Sequence, residues 1–393
     1  MYDLYGALIG NLSNYLYTYI LIILLVAGGI YFTVRTKFVQ FRYLKESLRV
    51  VLAPSEDDKA ISSFQALMVS TASRVGTGNI AGVSTAICLG GLGSLFWMWL
   101  TALLGMSTAF VEGTLAQIYK RRSDDGGCYG GPSYYIDQAI GKHWLGILFA
   151  VFMILTYMVG FNLVASFNIA DALRVVPGYA EHENLAKWII GAVLAVLFFV
   201  CISGGGKQIA GITEKVVPFM GFFYIAVAMF VIVTHITLLP GVFAEIFRNA
   251  FDVKAIFGGF TGSAVMLGIK RGLFSNEAGV GAAACAAGSA GVSHPVKQGL
   301  VQVLSVFLDT CMICTATAML LLCSGVEPDA DMAGMAYVQA AMNSTLGKFG
   351  VVFITVSLFL FAFTTLLGNF YYAETGLAYL CGMTPSNGAK WGM

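Results

Sequence analysis

Apolar residues fall in long blocks separated by short polar gaps, and most blocks have the length of a bilayer crossing. They lie near 16–34, 62–91, 93–118, 143–173, 187–203, 216–239, 258–289, 297–323 and 347–381. Backbone facing lipid must satisfy its own hydrogen bonds, so each block is expected to be helical, which gives nine spans. The first block, Leu16 to Val34, has no Lys or Arg ahead of Arg35. It therefore lacks the basic leading region of a secretory signal and reads as a retained span with the N-terminus outside. Residues 37–53 mix basic and apolar positions at helical spacing and are expected to lie along the cytoplasmic surface.

Composition strengthens this reading. Of 393 residues, 58% are hydrophobic and 11% charged, against roughly 45–50% and about 25% in a soluble domain. The chain reads as a single multi-pass membrane domain over 1–393. Segments assigned inside carry 14 basic residues, among them Arg35, Lys59, Arg121, Lys207, Lys215 and Lys390, and those assigned outside carry 5, including Arg174 and Lys254. That asymmetry follows the positive-inside rule. A net charge of +1 without a basic stripe excludes a nucleic-acid partner. The eight cysteines lie mostly in apolar blocks and do not form a secreted disulfide framework.

The polar interruptions within the blocks carry the chemistry. "SRVGTGNIAGV", from Ser73 to Val83, has a second copy 197 residues on: Arg74, Asn79, Ala81, Gly82, Val83 and Ala86 match Arg271, Asn276, Ala278, Gly279, Val280 and Ala283. The two copies enter the membrane from opposite sides, so this is an inverted repeat, the architecture of a secondary transporter with its site at the repeat interface. Gly76 and Gly78 each weaken a helix by about 1 kcal/mol relative to alanine. A break there exposes amides near Gly78 and carbonyls from Ala72 to Val75, one end attracting anions and the other cations. "GLFSNEAGVG", Gly272 to Gly281, offers the same arrangement upside down, and together the breaks can hold a zwitterion. Glycine in membrane helices commonly serves close packing; the matched arginine and asparagine in both copies favour broken helices.

The segments "GTGNIAGVSTAI", "EGTLAQIYK", "GGPSYYI", "NLVASFNIADAL", "SNEAGVGAAA" and "FAFTTLLGN" with "YYAE" occur in the order seen in the alanine or glycine:cation symporter family, also called the sodium:alanine symporters. The chain resembles that family from the first span to near residue 382. The resemblance implies an all-α membrane protein of leucine-transporter-like fold, with five-plus-five inverted repeats and two discontinuous helices. It also implies sodium-coupled uptake of a small neutral amino acid, alanine or glycine first, with Na⁺ co-transported and no other cofactor or metal. Carried over by position, the amino acid would lie near Gly76, Thr77, Gly78, Asn79, Phe274, Ser275 and Asn276. Sodium would be held by carbonyls of Ala72 and Val75 together with Phe361, Thr364 and Thr365. The chain departs from the family's pattern at Ala165, where members often carry Gln, and at Asn369, where some carry Trp. Within this scheme residues 1–61 hold the N-terminal span and amphipathic segment, and 62–239 the first repeat. Residues 258–381 supply only three spans of the second repeat, which reads as incomplete: either the chain is a fragment or the remaining helices come from elsewhere.

Charges inside the spans need partners, because an isolated one costs several kcal/mol. Arg74 and Glu277 are expected to form a structural ion pair. Glu112, Asp309 and Glu374 would tether helices, form a gate or couple to a proton. Enzyme chemistry is not indicated: the four histidines fall at span ends or in loops, and "CMIC", Cys311 to Cys314, lies on an apolar helix without a second cysteine pair for zinc. The alternatives to sodium coupling are a proton-coupled amino-acid transporter and a substrate-sensing membrane receptor without flux.

Overall fold

The computed structural model describes residues 9–382, apart from 14, 55–59, 124–126, 177 and 253–262. Lys59, Lys254, Lys390 and the start of the block expected at 258 lie outside the described residues. The remainder is almost entirely helical, and the one small sheet pairs β1 (Arg121–Arg122) with β2 (Cys128–Tyr129).

Helix α1, Ile9–Arg35, is followed by the short amphipathic α2, Leu44–Val51. The first repeated motif separates α3, Ser63–Arg74, from α4, Gly78–Gly90. Then come α5, Ser94–Ile118; α6, Pro132–Tyr135; α7, His143–Val175; α8, Glu183–Ile202; α9, Gly205–Thr234; and α10, Leu239–Ala250. The second repeated motif separates α11, Ala264–Asn276, from α12, Ala282–Ser289. The last elements are α13, Pro295–Leu322, and a long stretch that Gly347 (φ 62°, ψ −148°) divides into α14, residues 335–346, and α15, residues 348–380.

Seven helices among the described residues are long and apolar enough to cross a membrane, and α4, Gly78–Gly90, is a shorter apolar helix. The protein is a multi-pass membrane protein. Large apolar side chains cover the outward faces of α7, α8 and α9, as at Leu163, Trp188 and Phe222. On α8 only Leu194 is buried. One expected boundary shifts, and one segment packs more deeply than expected. The fifth span of the first half begins at Gly205 instead of 216, because the turn after Ile202 is closed by Gly205 in the left-handed region, and the helix then carries Lys207 and Lys215 on its first turns. The segment after α1 does not simply rest on a surface: Val39, Val50 and Val51 are buried against the bundle, and Gln40 Nε2 donates to the Leu103 carbonyl at 3.2 Å.

Both broken helices start with a serine that explains their entry points. Ser62 caps α3 in a full capping box with Gln65, both bonds at 3.0 Å, and Ser263 accepts the amide of Met266 at 3.2 Å ahead of α11. The broken helices run antiparallel. Helix α3 packs on α12, with Ile61 and Ala290 bridged through a bond from the Gly291 amide, and α4 packs on α11. Helix α5 lies along α13, α11, α12 and α1, whereas α15 packs on α7, α9 and α3.

Close backbone approach holds the C-terminal end of α12. A Cβ added at Gly288 would sit 2.5 Å from the Cα of Gly130. Gly288→Ala should therefore force the loop ahead of α6 away and destabilise the fold by about 1–3 kcal/mol, measurable as a lower melting temperature in detergent. An unchanged melting temperature would show that the two backbones separate freely.

Candidate functional site

The first break falls at Val75 and Gly76. Val75 leaves the helix with ψ 89°, and helical geometry resumes at Thr77. Asn79 stabilises the gap: its Oδ1 accepts the Gly76 amide at 2.9 Å, and its backbone amide donates to the Gly76 carbonyl at 3.2 Å. The Gly76 amide is thus occupied within the break itself. Gly78 is partly accessible and lies against the Phe274 ring, 3.4 Å from where its Cβ would be. Phe274 in turn packs on Phe161 at 5.2 Å. Gly78, Asn79, Phe274 and Ser275 are thus brought together across the two breaks, with Thr77 buried beside them.

Thr365 of α15 faces the same gap. Thr365 Oγ1 is within 3.1 Å of the Ala72 carbonyl on α3 and 2.9 Å of the Phe361 carbonyl on its own helix. A Cβ on Gly76 would collide with that Oγ1. Thr364 Oγ1 bonds back to the Leu360 and Phe361 carbonyls of its own helix, each at 3.0 Å, and lies 3.6 Å from Met220 Sδ on α9. Ala72, Phe361 and Thr365 converge, Thr364 reaches them only through the shared Phe361 carbonyl, and Val75 is the buried residue at which α3 ends.

The second break is shorter than its sequence suggests. Gly272 through Asn276 remain helical, and the chain unwinds only from Glu277 to Gly281, where Glu277, Gly279 and Gly281 have φ of 49°, 93° and 87°. Gly272 serves close packing instead: its Cβ would meet Thr101 Cβ at 3.1 Å and Met98 Cα at 3.2 Å on α5. Asn276 does for this break what Asn79 does for the first, its Oδ1 accepting the Ala278 amide at 3.0 Å. Glu112 on α5 accepts the Gly279 amide at 3.1 Å and so tethers the unwound segment.

The expected ion pair is not formed. Arg74 Nη1 donates to Gln302 Oε1 at 3.2 Å, while its Nε and Nη2 and the Oε2 of Glu277 have no hydrogen-bond partner. Gln302 takes this place because α13 turns a polar face toward the first broken helix. Gln298 donates to Ser63 at 3.0 Å, Gln302 to Ser70 at 3.0 Å, Ser305 lies 3.4 Å from Thr71, and Asp309 accepts from Asn79 at 2.7 Å. Residues 298, 302, 305 and 309 are spaced for one helical face, a signal present in the sequence. Arg271 matches Arg74 in the repeat but lies near Tyr17 of α1, away from the breaks.

Asn369 Oδ1 accepts from Ser73 at 2.9 Å and its Nδ2 donates to Asn162 at 2.9 Å, which links α3, α15 and α7; Ala165 is buried on α7 a turn further on. At the end of the molecule where Ile61 meets Ala290, a cavity of about 230 Å³ is lined by Ile61, Cys128, Lys207, Ser289, Tyr371 and Thr375.

The sequence matches the model of the sodium:alanine symporter family over residues 2–389. It is 45% identical over 380 residues to the amino-acid carrier protein AlsT of Bacillus subtilis (strain 168), covering 97% of this chain and 80% of that protein. To the probable sodium/glutamine symporter GlnT of the same organism it is 44% identical over 375 residues, covering 95% and 77%. To the sodium/proton-dependent alanine carrier protein of Bacillus sp. (strain PS3) it is 40% identical over 353 residues, covering 85% and 76%.

Proposed function

The chain belongs to the sodium:alanine symporter family, a family of transporters and not of enzymes, and from that premise we propose that it carries a small neutral amino acid across the cytoplasmic membrane together with sodium by alternating access. Alanine or glycine is the substrate of first choice. The antiparallel packing of the two broken helices supports an inverted repeat of the leucine-transporter kind, with 62–239 as its first half and 258–381 as part of its second. In this reading the amino acid lies among Gly76, Thr77, Gly78, Asn79, Phe274, Ser275 and Asn276.

The observation that carries the proposal is the convergence of the Ala72 and Phe361 carbonyls with the Thr365 hydroxyl beside the first break, Thr364 sharing the Phe361 carbonyl. A set of neutral oxygens suits a hard monovalent cation. Sodium bound there would tie α3 to α15, and its departure would free them to part. The cavity at the Ile61 end, which the positive-inside rule makes cytoplasmic, is the natural exit. Liposomes holding the purified chain should accumulate labelled alanine when a sodium gradient is imposed. Binding of alanine without flux would instead identify a sensor.

A proton-coupled variant of the same cycle is the second reading, favoured by the name of the Bacillus sp. relative and by buried Asp309 at the junction of the breaks.

A further inference from the structure

Helix α11 carries two adjacent cations, Lys270 and Arg271, that the transport site proposed above does not use. Lys270 stands about 9 Å along the helix from its start at Ala264, within the apolar block. Neither side chain forms a salt bridge or a hydrogen bond among the described residues. The flanking helices offer no counter-charge. Neither α11 nor α1 contains an Asp or a Glu, and the one acid of α5, Glu112, is committed to the Gly279 amide.

Adjacent residues leave a helix about 100° apart, yet both of these side chains come to Tyr17 of α1. The Lys270 ammonium lies 6.0 Å from the centre of the Tyr17 ring, and the Arg271 guanidinium acts electrostatically on the Tyr17 hydroxyl. The two cations are also close enough to repel each other. Extension toward water would carry each charge away from the other. Two cations gathered at one phenol, with no acid near them, make a receptor for an anion. Tyr17 lies toward the end of α1 assigned outside, and α11 enters from that same side, so the pair stands just beneath the outer headgroups. Further along, Ile22 of α1 packs on Met266 and Leu273 of α11, while Ile20, Ile23 and Leu24 are exposed beside this seam as an apolar track.

We propose that Tyr17, Lys270 and Arg271 bind the phosphate of an anionic glycerophospholipid whose acyl chains lie along α1. The site is independent of which amino acid or ion is carried. A zwitterionic lipid brings its own cation to the phosphate and gains less from the pair. Helix α11 is the outer half of the second broken helix, and Leu25 of α1 stands against Gly279 in the unwound segment that follows it. A lipid joining α1 to α11 therefore steadies the second break from outside the bundle, and the stability of the protein follows the charge of the lipid around it.

The test is the melting temperature of the purified chain in a neutral detergent as lipid is added. Dioleoyl phosphatidylglycerol should raise it at lower concentration than dioleoyl phosphatidylcholine, and inorganic phosphate should not reproduce the shift. Lys270→Gln and Arg271→Gln should each need about fivefold more phosphatidylglycerol for half the shift, and the two together about thirtyfold. Arg271→Lys, which keeps the charge, should stay near the native value. Arg248→Gln removes an exposed charge of α10 on the same side and should change nothing. Equal shifts with the two lipids overturn the proposal, and so does a loss in Arg248→Gln as large as that in Arg271→Gln. A shift with inorganic phosphate that the double variant abolishes identifies a free-anion site and overturns the lipid assignment. Should Arg271→Gln fail to fold, Lys270→Gln set against Arg248→Gln decides in the same way.

Discussion

Valine at both Thr364 and Thr365 is expected to abolish sodium activation of uptake. The substitution nearly preserves side-chain shape and removes two oxygens from the cluster formed with the Ala72 and Phe361 carbonyls. Hydrogen-bond-like contacts to a charged partner contribute about 1.5–3 kcal/mol each, so losing both should weaken sodium affinity by roughly a hundredfold or more. The same change leaves the Ala72 carbonyl without its partner on α15, at a cost to stability of about 1–3 kcal/mol. Melting temperature in detergent must therefore be followed beside uptake. A folded double variant with the native sodium dependence would remove these residues from the cation site.

Much of the architecture was legible in the chain because a membrane imposes simple rules. Length and apolarity set the spans, and the serines at 62 and 263 mark where both broken helices begin. The matched Arg74 and Arg271 show where that legibility stops. A repeat preserves residue identity, whereas the neighbours of each copy come from different helices, and so Arg74 meets Gln302 while Arg271 lies beside Tyr17. Gly272 illustrates the same limit. Its composition suggests unwinding, yet it lies inside a continuous helix packed closely on Met98 and Thr101 of α5, where an added Cβ would meet atoms at 3.1–3.2 Å. The face of α13 that carries Gln298, Gln302, Ser305 and Asp309 could have been read from spacing alone. Its purpose became visible only once Ser63, Ser70, Thr71 and Asn79 stood opposite.

Alanine at Gly76 should disable sodium-driven uptake, and alanine at Gly82 should not. Both residues belong to the same glycine-rich motif. The geometry separates them. A Cβ at Gly82 meets nothing within 4 Å, so replacing this helical glycine should be neutral or stabilise by up to about 1 kcal/mol. A Cβ at Gly76 runs into the Thr365 hydroxyl. Threonine in a helix has a second χ1 position available to it, and Thr365 can relieve the clash by rotating its hydroxyl out of the gap. That rotation breaks the contact with the Ala72 carbonyl and withdraws an oxygen from the proposed cation site. Gly76→Ala should thus lose about tenfold or more in apparent sodium affinity, the effect of roughly 1.5 kcal/mol, with a small change in melting temperature. If the single variant remains folded and keeps native sodium activation, the Thr365 hydroxyl beside Gly76 is not an oxygen that holds the cation.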